Sequence, residues 1–162
     1  MNGHWFSFSS RPPKGTSEIV AEYRAQFPSA YESVGKARRA VVAFARQWFS
    51  GDDLSDIESA VGEALANCAE HGYVNGTNID VRCRFDGREF TVEIKDAGKG
   101  FDRWNASDYV KPLSTAPRGF GTFIMRQLMD EMEYTDHGTQ VRLVKRCSAA
   151  EAAVAETDER FA

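Results

Sequence analysis

Three groups of residues in this 162-residue sequence have types and spacings that can do chemistry. The first is Glu63-Ala-Leu-Ala-Asn67-Cys-Ala-Glu-His71. Spacings of four place Glu63, Asn67 and His71 in one row on a helix, with Val61, Leu65 and Cys68 supplying the buried side. A carboxylate and a carboxamide in one row suit a site that must hold a hard cation beside a water or hydroxyl. The amide oxygen can ligate Mg²⁺ while the carboxylate accepts a proton. The same spacing also suits a solvated polar face.

The second group is Asp96-Ala-Gly98-Lys-Gly100-Phe, directly after a strand pattern that ends at Lys95. A carboxylate there can accept hydrogen bonds from an exocyclic amine such as that of adenine. Glycines let the backbone approach a flat ring closely. A plain strand-to-loop turn has the same string. The third group is Arg118-Gly119-Phe-Gly121-Thr122, leading into a helical pattern. Glycines before a helix N-terminus expose amide groups and the positive end of the dipole, a phosphate-binding combination. Arg118 adds a charge-assisted contact to a terminal phosphate. A hinge before an amphipathic helix reads the same way. Neither string matches GxxxxGK[ST] or the dinucleotide fingerprint.

The elements that must position these groups follow from periodicity. Ile19, Ala21, Tyr23, Ala25 and Phe27 alternate as in a half-buried strand. Pro28-Ser29 opens a helix with Val34, Ala37, Val41, Phe44, Ala45 and Trp48 apolar, and Gly51-Asp52-Asp53 ends it. Ser55-x-x-Glu58 reads as the capping box of a second helix running to His71. The period then switches to two. Ile79, Val81, Cys83 and Phe85, a turn at Asp86-Gly87, then Phe90, Val92 and Ile94 predict a hairpin. Residues 96–120 form a long loop, of a length that in a compact domain is usually functional. A third helix spans Phe120 to Met132 with Ile124, Leu128 and Met132 inward, and a last hairpin turns at His137-Gly138. No internal repeat is visible.

This order predicts an α+β, two-layer fold with helices on one face of a largely antiparallel mixed sheet. The domain spans residues 18–147, between a flexible arm (1–17) and a frayed Ala/Glu-rich tail (148–162). One domain of this length buries a sizeable core. No run of about 18 apolar residues is present, against a membrane span. The N-terminus lacks a basic stretch followed by an apolar one, against a secretory signal. A net charge of -4 lacks the basic footprint of a nucleic-acid binder. Three cysteines without a CxxC pair argue against a disulfide framework, so a reduced, cytoplasmic protein is expected.

In this combination and order the three groups resemble the motifs of the histidine-kinase-like (GHKL) ATPase family, and within it the bacterial anti-sigma-factor serine kinases. Glu63-x-x-x-Asn67-x-x-x-His71 resembles the N box, Asp96-Ala-Gly-Lys-Gly100 the first glycine box and Gly119-Phe-Gly121 the second. Gly121 to Glu131 is similar to the subfamily's following helix, and Gly138-Thr139 to a Gly-Thr before the last strand. The match covers roughly residues 19–145. It implies an ATP and Mg²⁺ site, with Glu63 as general base for a protein serine hydroxyl, Asn67 as Mg²⁺ ligand and Asp96 as adenine reader. Gly98 and Gly100 would line the base pocket, Arg118, Gly119, Gly121 and Thr122 the phosphates, and Thr139 the back of the adenine site, under a lid at 101–118. Thr122 departs from the usual leucine. His71 is expected to be a packed helix histidine.

The resemblance further implies an anti-anti-sigma protein as phosphorylation substrate, a sequestered sigma factor and a homodimer, with which an acidic small domain with an apolar sheet surface is compatible. A sensor histidine kinase would need a phospho-accepting histidine on a dimerising helix pair. His4, His71 and His137 lack that context. Gyrase-like relatives need further domains. A serine kinase and a nucleotide-dependent protein-binding switch without significant kinase activity remain, and Glu63 favours the kinase.

Overall fold

The computed structural model describes residues 19–72, 76–100 and 120–147, together with the backbone of a short strand at His4–Ser7. That strand is β1. The sheet continues with β2 (Ala21–Pro28), β3 (Asn78–Phe85), β4 (Glu89–Lys95), β5 (Glu131–Thr135) and β6 (Gln140–Arg146). Spatial order is β1-β2-β3-β4-β6-β5, and every pairing is antiparallel. The expected fold of helices on one face of a largely antiparallel sheet is the observed one. β1 is an addition, because the N-terminal arm carries no pattern that announces a strand at His4–Ser7.

Register decides which side chains meet the helices. Tyr23 opposes Cys83, Phe27 opposes Ile79, Cys83 opposes Val92, and Val92 opposes Leu143. All of these are buried, so one sheet face is continuously apolar. Side chains one position along carry charge on the other face. There Gln26 Nε2 donates to Asp80 Oδ1 at 2.6 Å, Arg84 to Glu93 at 2.8 Å, and Arg82 pairs with Glu22. The apolar sheet surface expected for a dimer is therefore absent among the described residues. Alternation places every second residue outward, and here most of those residues are charged or polar.

Three helices cover the apolar face: α1 (Tyr31–Ala45), α2 (Gly51–His71) and α3 (Phe120–Leu128). Phe44 and Phe49 pack from α1 and its exit onto Phe85 and Phe90, while Trp48 stacks on Phe85 at 4.3 Å between ring centroids. Each such buried aromatic contributes on the order of 2–3 kcal/mol by removing its surface from water. This cluster fixes the end of the molecule away from the glycine-rich segments.

Two helix boundaries differ from expectation. Gly51 (φ 54) opens α2 rather than ending α1, with Ser50 at the N-cap and Asp52 and Asp53 in the first turn, where carboxylates complement the dipole. Ser55 thus lies inside the helix and donates to Gly51 O at 3.1 Å instead of capping it. α3 stops at Leu128 and fully buries Met125, with Met129 buried just beyond its end; Leu128 and Met132 pack partly buried against the core as expected, whereas Ile124 is not among the core residues. Asp130 already bonds Val144 O at 2.9 Å, which pulls the chain into β5 and puts Met132 in the sheet. Lys145 Nζ anchors this corner, reaching Asp56 Oδ2 at 2.8 Å, Asp53 Oδ1 at 3.0 Å and Leu128 O at 2.9 Å.

Candidate functional site

Helix α2 crosses the sheet with Val61, Ala64, Leu65 and Cys68 buried, which leaves Glu63 and Asn67 half-buried along its flank and His71 exposed at its end. Gly72 closes the helix by donating to Cys68 O at 3.0 Å. There the helix meets the end of β4. A Cβ on Gly72 would stand 2.2 Å from Asp96 Cγ, and one on Gly98 would stand 2.7 Å from Gly72 Cα and 2.8 Å from Asp96 Oδ1. Only glycines allow this approach. Asp96 is held on several sides: its N–H donates to Thr139 O at 2.9 Å, and Gly98 N–H donates to its Oδ1 at 2.7 Å. The Cys68 thiol donates to the same carboxylate. Burial first, then the Asp96 charge and this hydrogen bond, push the thiol's pKa far up, so it stays protonated.

Around Asp96 lies a small pocket with a cavity volume of about 20 Å³. Asn67, Cys68 and Gly72 line it from α2, and Gly100, Tyr134 and Thr139 from the opposite side. A turn at Asp136–Gly138 forms its rim. Asp136 (φ 51) and His137 (φ 56) both adopt left-handed backbone, a costly pair that aims the His137 carbonyl at Gly100. Gly100 (φ 67) is again without alternative, because a Cβ there would fall 2.0 Å from that oxygen. Thr139 Oγ1 donates to Asp136 O at 2.8 Å, and Lys95 Nζ reaches Asp136 Oδ2 at 2.6 Å, which ties the turn to the end of β4.

The first turn of α3 passes the other end of the row. A Cβ on Gly121 would stand 2.8 Å from Glu63 Oε2 and 3.5 Å and 3.6 Å from the Asn67 carboxamide nitrogen and oxygen. Helix α3 therefore lies as near to Glu63 and Asn67 as an absent side chain permits. Burial raises the Tyr134 pKa above its ordinary value, while Thr122 and Asn67 beside its hydroxyl act in the opposite direction.

Of the expected site residues, Asn67, Asp96, Gly100 and Thr139 share the pocket, Gly98 buttresses Asp96, and Glu63, Gly121 and Thr122 meet one helical turn away. Arg118, Gly119 and the lid segment 101–118 lie outside the described residues. His71 borders the pocket but is exposed, with Nε2 3.9 Å from Glu70, rather than packed as expected. Sequence reasoning missed Gly72 and Tyr134. A glycine directly after His71 was one available signal, and the period-two pairing of Met132 with Tyr134 another.

Among the described residues no cluster of three or more His, Cys, Asp or Glu side chains could hold a metal ion. Asn67 with Glu63 can supply only part of a cation's oxygen shell, so a partner such as a phosphate would have to complete it. No helix of the described residues is long and apolar enough to cross a membrane.

The histidine kinase-like ATPase domain model matches residues 27–145. The chain is 34% identical over 129 residues to an anti-sigma F factor of Thermoanaerobacter sp. (strain X514), covering 74% of this chain and 89% of that protein. It is 33% identical over 132 residues to the anti-sigma F factor of Clostridium botulinum (strain Eklund 17B / Type B), covering 75% and 91%. It is also 31% identical over 131 residues to the serine-protein kinase RsbW of Bacillus subtilis (strain 168), covering 73% and 81%. Motif order, fold and these likenesses agree: the chain belongs to the histidine kinase-like ATPase domain family, as a homologue of its anti-sigma factors and of the serine-protein kinase RsbW.

Proposed function

We propose that this protein is an ATP-binding anti-sigma factor and protein-serine kinase that phosphorylates an anti-anti-sigma partner and sequesters a sigma factor. The observation that carries the reading is the approach of Gly121 to both Glu63 and Asn67, one helical turn from the pocket built on Asp96. A proton acceptor, a cation ligand and a glycine-opened helix start thus surround one space.

The residues present fit an adenine nucleotide with Mg²⁺. Asp96 lies against the glycines at positions 72 and 98, so a flat base can approach its carboxylate, and the exocyclic amine would donate to it. Asn67 Oδ1 would give Mg²⁺ one protein ligand, and phosphate oxygens and waters the remainder. The bound Mg²⁺ would neutralise charge that develops on the transferring phosphoryl group. Glu63 accepts the proton of a partner's serine hydroxyl as that oxygen bonds to the terminal phosphorus and the bond to the ADP oxygen breaks. Gly119, Gly121, Thr122 and Arg118 would face the phosphates, with the chain expected to act as a homodimer.

Incubation with terminally labelled ATP and the small partner proteins encoded beside this chain tests the reading. Label on a partner serine supports it. Tight nucleotide binding without transfer replaces it by a nucleotide-dependent protein-binding switch, and absence of nucleotide binding removes both.

A further inference from the structure

The turn between β5 and β6 has a shape that closing a hairpin does not explain. Thr135 pairs with Gln140, so four residues connect the strands, a length most often built around a right-handed turn. Here Asp136 (φ 51), His137 (φ 56) and Gly138 (φ 85) take positive φ in succession. Glycine does so freely, but aspartate and histidine hold left-handed backbone only where their surroundings offset its cost. Those surroundings are the two ends of the Asp96–Gly100 segment. At its start, Asp96 N–H donates to Thr139 O at 2.9 Å, and the preceding Lys95 reaches Asp136 Oδ2 through Nζ at 2.6 Å. At its far end, Gly100 abuts the His137 carbonyl, whose oxygen would stand 2.0 Å from a Cβ there.

The turn therefore brackets the segment that would receive the base. Gly100, Gly138 and Thr139 line the pocket, whereas Lys95 and Asp136 do not, and their side chains are 47% and 53% exposed. They act on the pocket only by holding the turn. We propose that Lys95 and Asp136 are positioning residues for a bound adenine nucleotide. Their ion pair latches the left-handed turn across the Asp96–Gly100 segment and so slows departure of the base. Asp136 contributes twice, because its carbonyl also accepts from Thr139 Oγ1 at 2.8 Å, which joins the latch to a pocket-lining side chain. An exposed ion pair is weak and screened by salt, so this latch opens readily enough to let a nucleotide in. The inference rests on the nucleotide reading given above.

The test is the dissociation rate of a ribose-labelled fluorescent ADP from the full chain, chased with unlabelled ADP. Asp136→Asn keeps the size of the side chain and its tolerance of left-handed backbone while removing the charge, and Lys95→Met keeps the stem. Each should raise the rate about two- to fivefold, the effect of one exposed ion pair, with association unchanged. The double variant should match the single ones. Adding His137→Gly to Lys95→Met removes the backbone cost and keeps the carbonyl, so the rate should return toward that of the parent. A pair that only stabilised the fold would lower the urea midpoint and leave the rate unmoved. Unchanged rates in the single variants, additive effects in the double one, or further acceleration by His137→Gly overturns the proposal. The Gly100 amide resonance of nucleotide-free protein supplies an independent readout. It should shift in both single variants, and an unmoved resonance overturns the proposal by itself. A parent that binds no nucleotide overturns the proposed function instead, and the Gly100 resonance then still decides whether the latch exists.

Discussion

Gly72 and Asp96 come so close that a Cβ on the first would stand 2.2 Å from Cγ of the second. The first residue after one helix and the first residue after one strand are thereby pressed together, and the carboxylate has no freedom to move toward α2. Gly72→Ala must push Asp96 into the pocket or tilt the end of α2. The expected cost is about 1–3 kcal/mol in urea unfolding, as for other overpacked sites, with ATP affinity lowered at least tenfold. A fully stable variant with parental affinity would show that the contact does not fix the carboxylate.

Asp96 itself carries the base-recognition prediction. Its Oδ1 accepts from Gly98 N–H at 2.7 Å and its carboxylate from the Cys68 thiol, so two donors already point at it. Asp96→Asn replaces one acceptor by a donor and sets it against those donors and the incoming amine. Mismatched buried polar groups cost about 1–3 kcal/mol each. ATP affinity should fall at least tenfold while circular dichroism stays parental. Calorimetry that gives an unchanged affinity would remove Asp96 from base recognition.

Lys145 provides a stability prediction remote from the pocket. Burial opposes its charge, but the Asp56 and Asp53 carboxylates outweigh that and hold its pKa above the ordinary value of 10.5. A lysine with a raised folded pKa contributes in full below its unfolded pKa, and the contribution is lost as pH climbs through the folded one. Lys145→Met should therefore cost about 1–3 kcal/mol near neutrality, by leaving Leu128 O and two carboxylates without their donor. The gap between parent and variant should narrow as pH rises beyond 10.5. A gap constant from pH 8 to about 11.5 would mean that the ammonium charge contributes nothing.

What the sequence made legible was local. The row Glu63, Asn67, His71 and the alternation from Ile79 to Ile94 are one-element patterns, and both survive intact in α2 and in the β3–β4 hairpin. Ser55 misleads for the same reason: Ser-x-x-Glu is a local string, but the helix had already begun at Gly51. Gly72 reads as a helix end, whereas its tight approach to Asp96 depends on a residue 24 positions later. Tyr134 reads as one apolar position of a strand. Its place beside Asn67 depends on the β5–β6 register and on the seating of α3, neither of which any short window contains.

Asn67 is expected to be the one protein ligand of the cation. Asn67→Ala removes an oxygen without adding bulk, so nucleotide should still enter the pocket. The Mg²⁺-dependent tightening of ATP binding should vanish. An equal Mg²⁺ effect in variant and parent would assign the ligand elsewhere.

Glu63 separates a kinase from a switch. Its Oε2 faces Gly121, and Asn67 lies one turn further along the same helix flank. A serine presented beside a terminal phosphate held near Gly121 would thus meet a carboxylate before any other proton acceptor of α2. General-base assistance is worth about 10²–10⁴-fold in rate. Glu63→Gln keeps the size of the side chain and its hydrogen-bonding capacity but cannot take a proton at neutral pH. Single-turnover transfer from labelled ATP to the partner should slow at least a hundredfold, with ATP and partner affinities unchanged. Transfer at the parental rate would show that Glu63 is not the base. Loss of nucleotide binding as well would show that the carboxylate holds α3 in place through its contact at Gly121 and acts structurally.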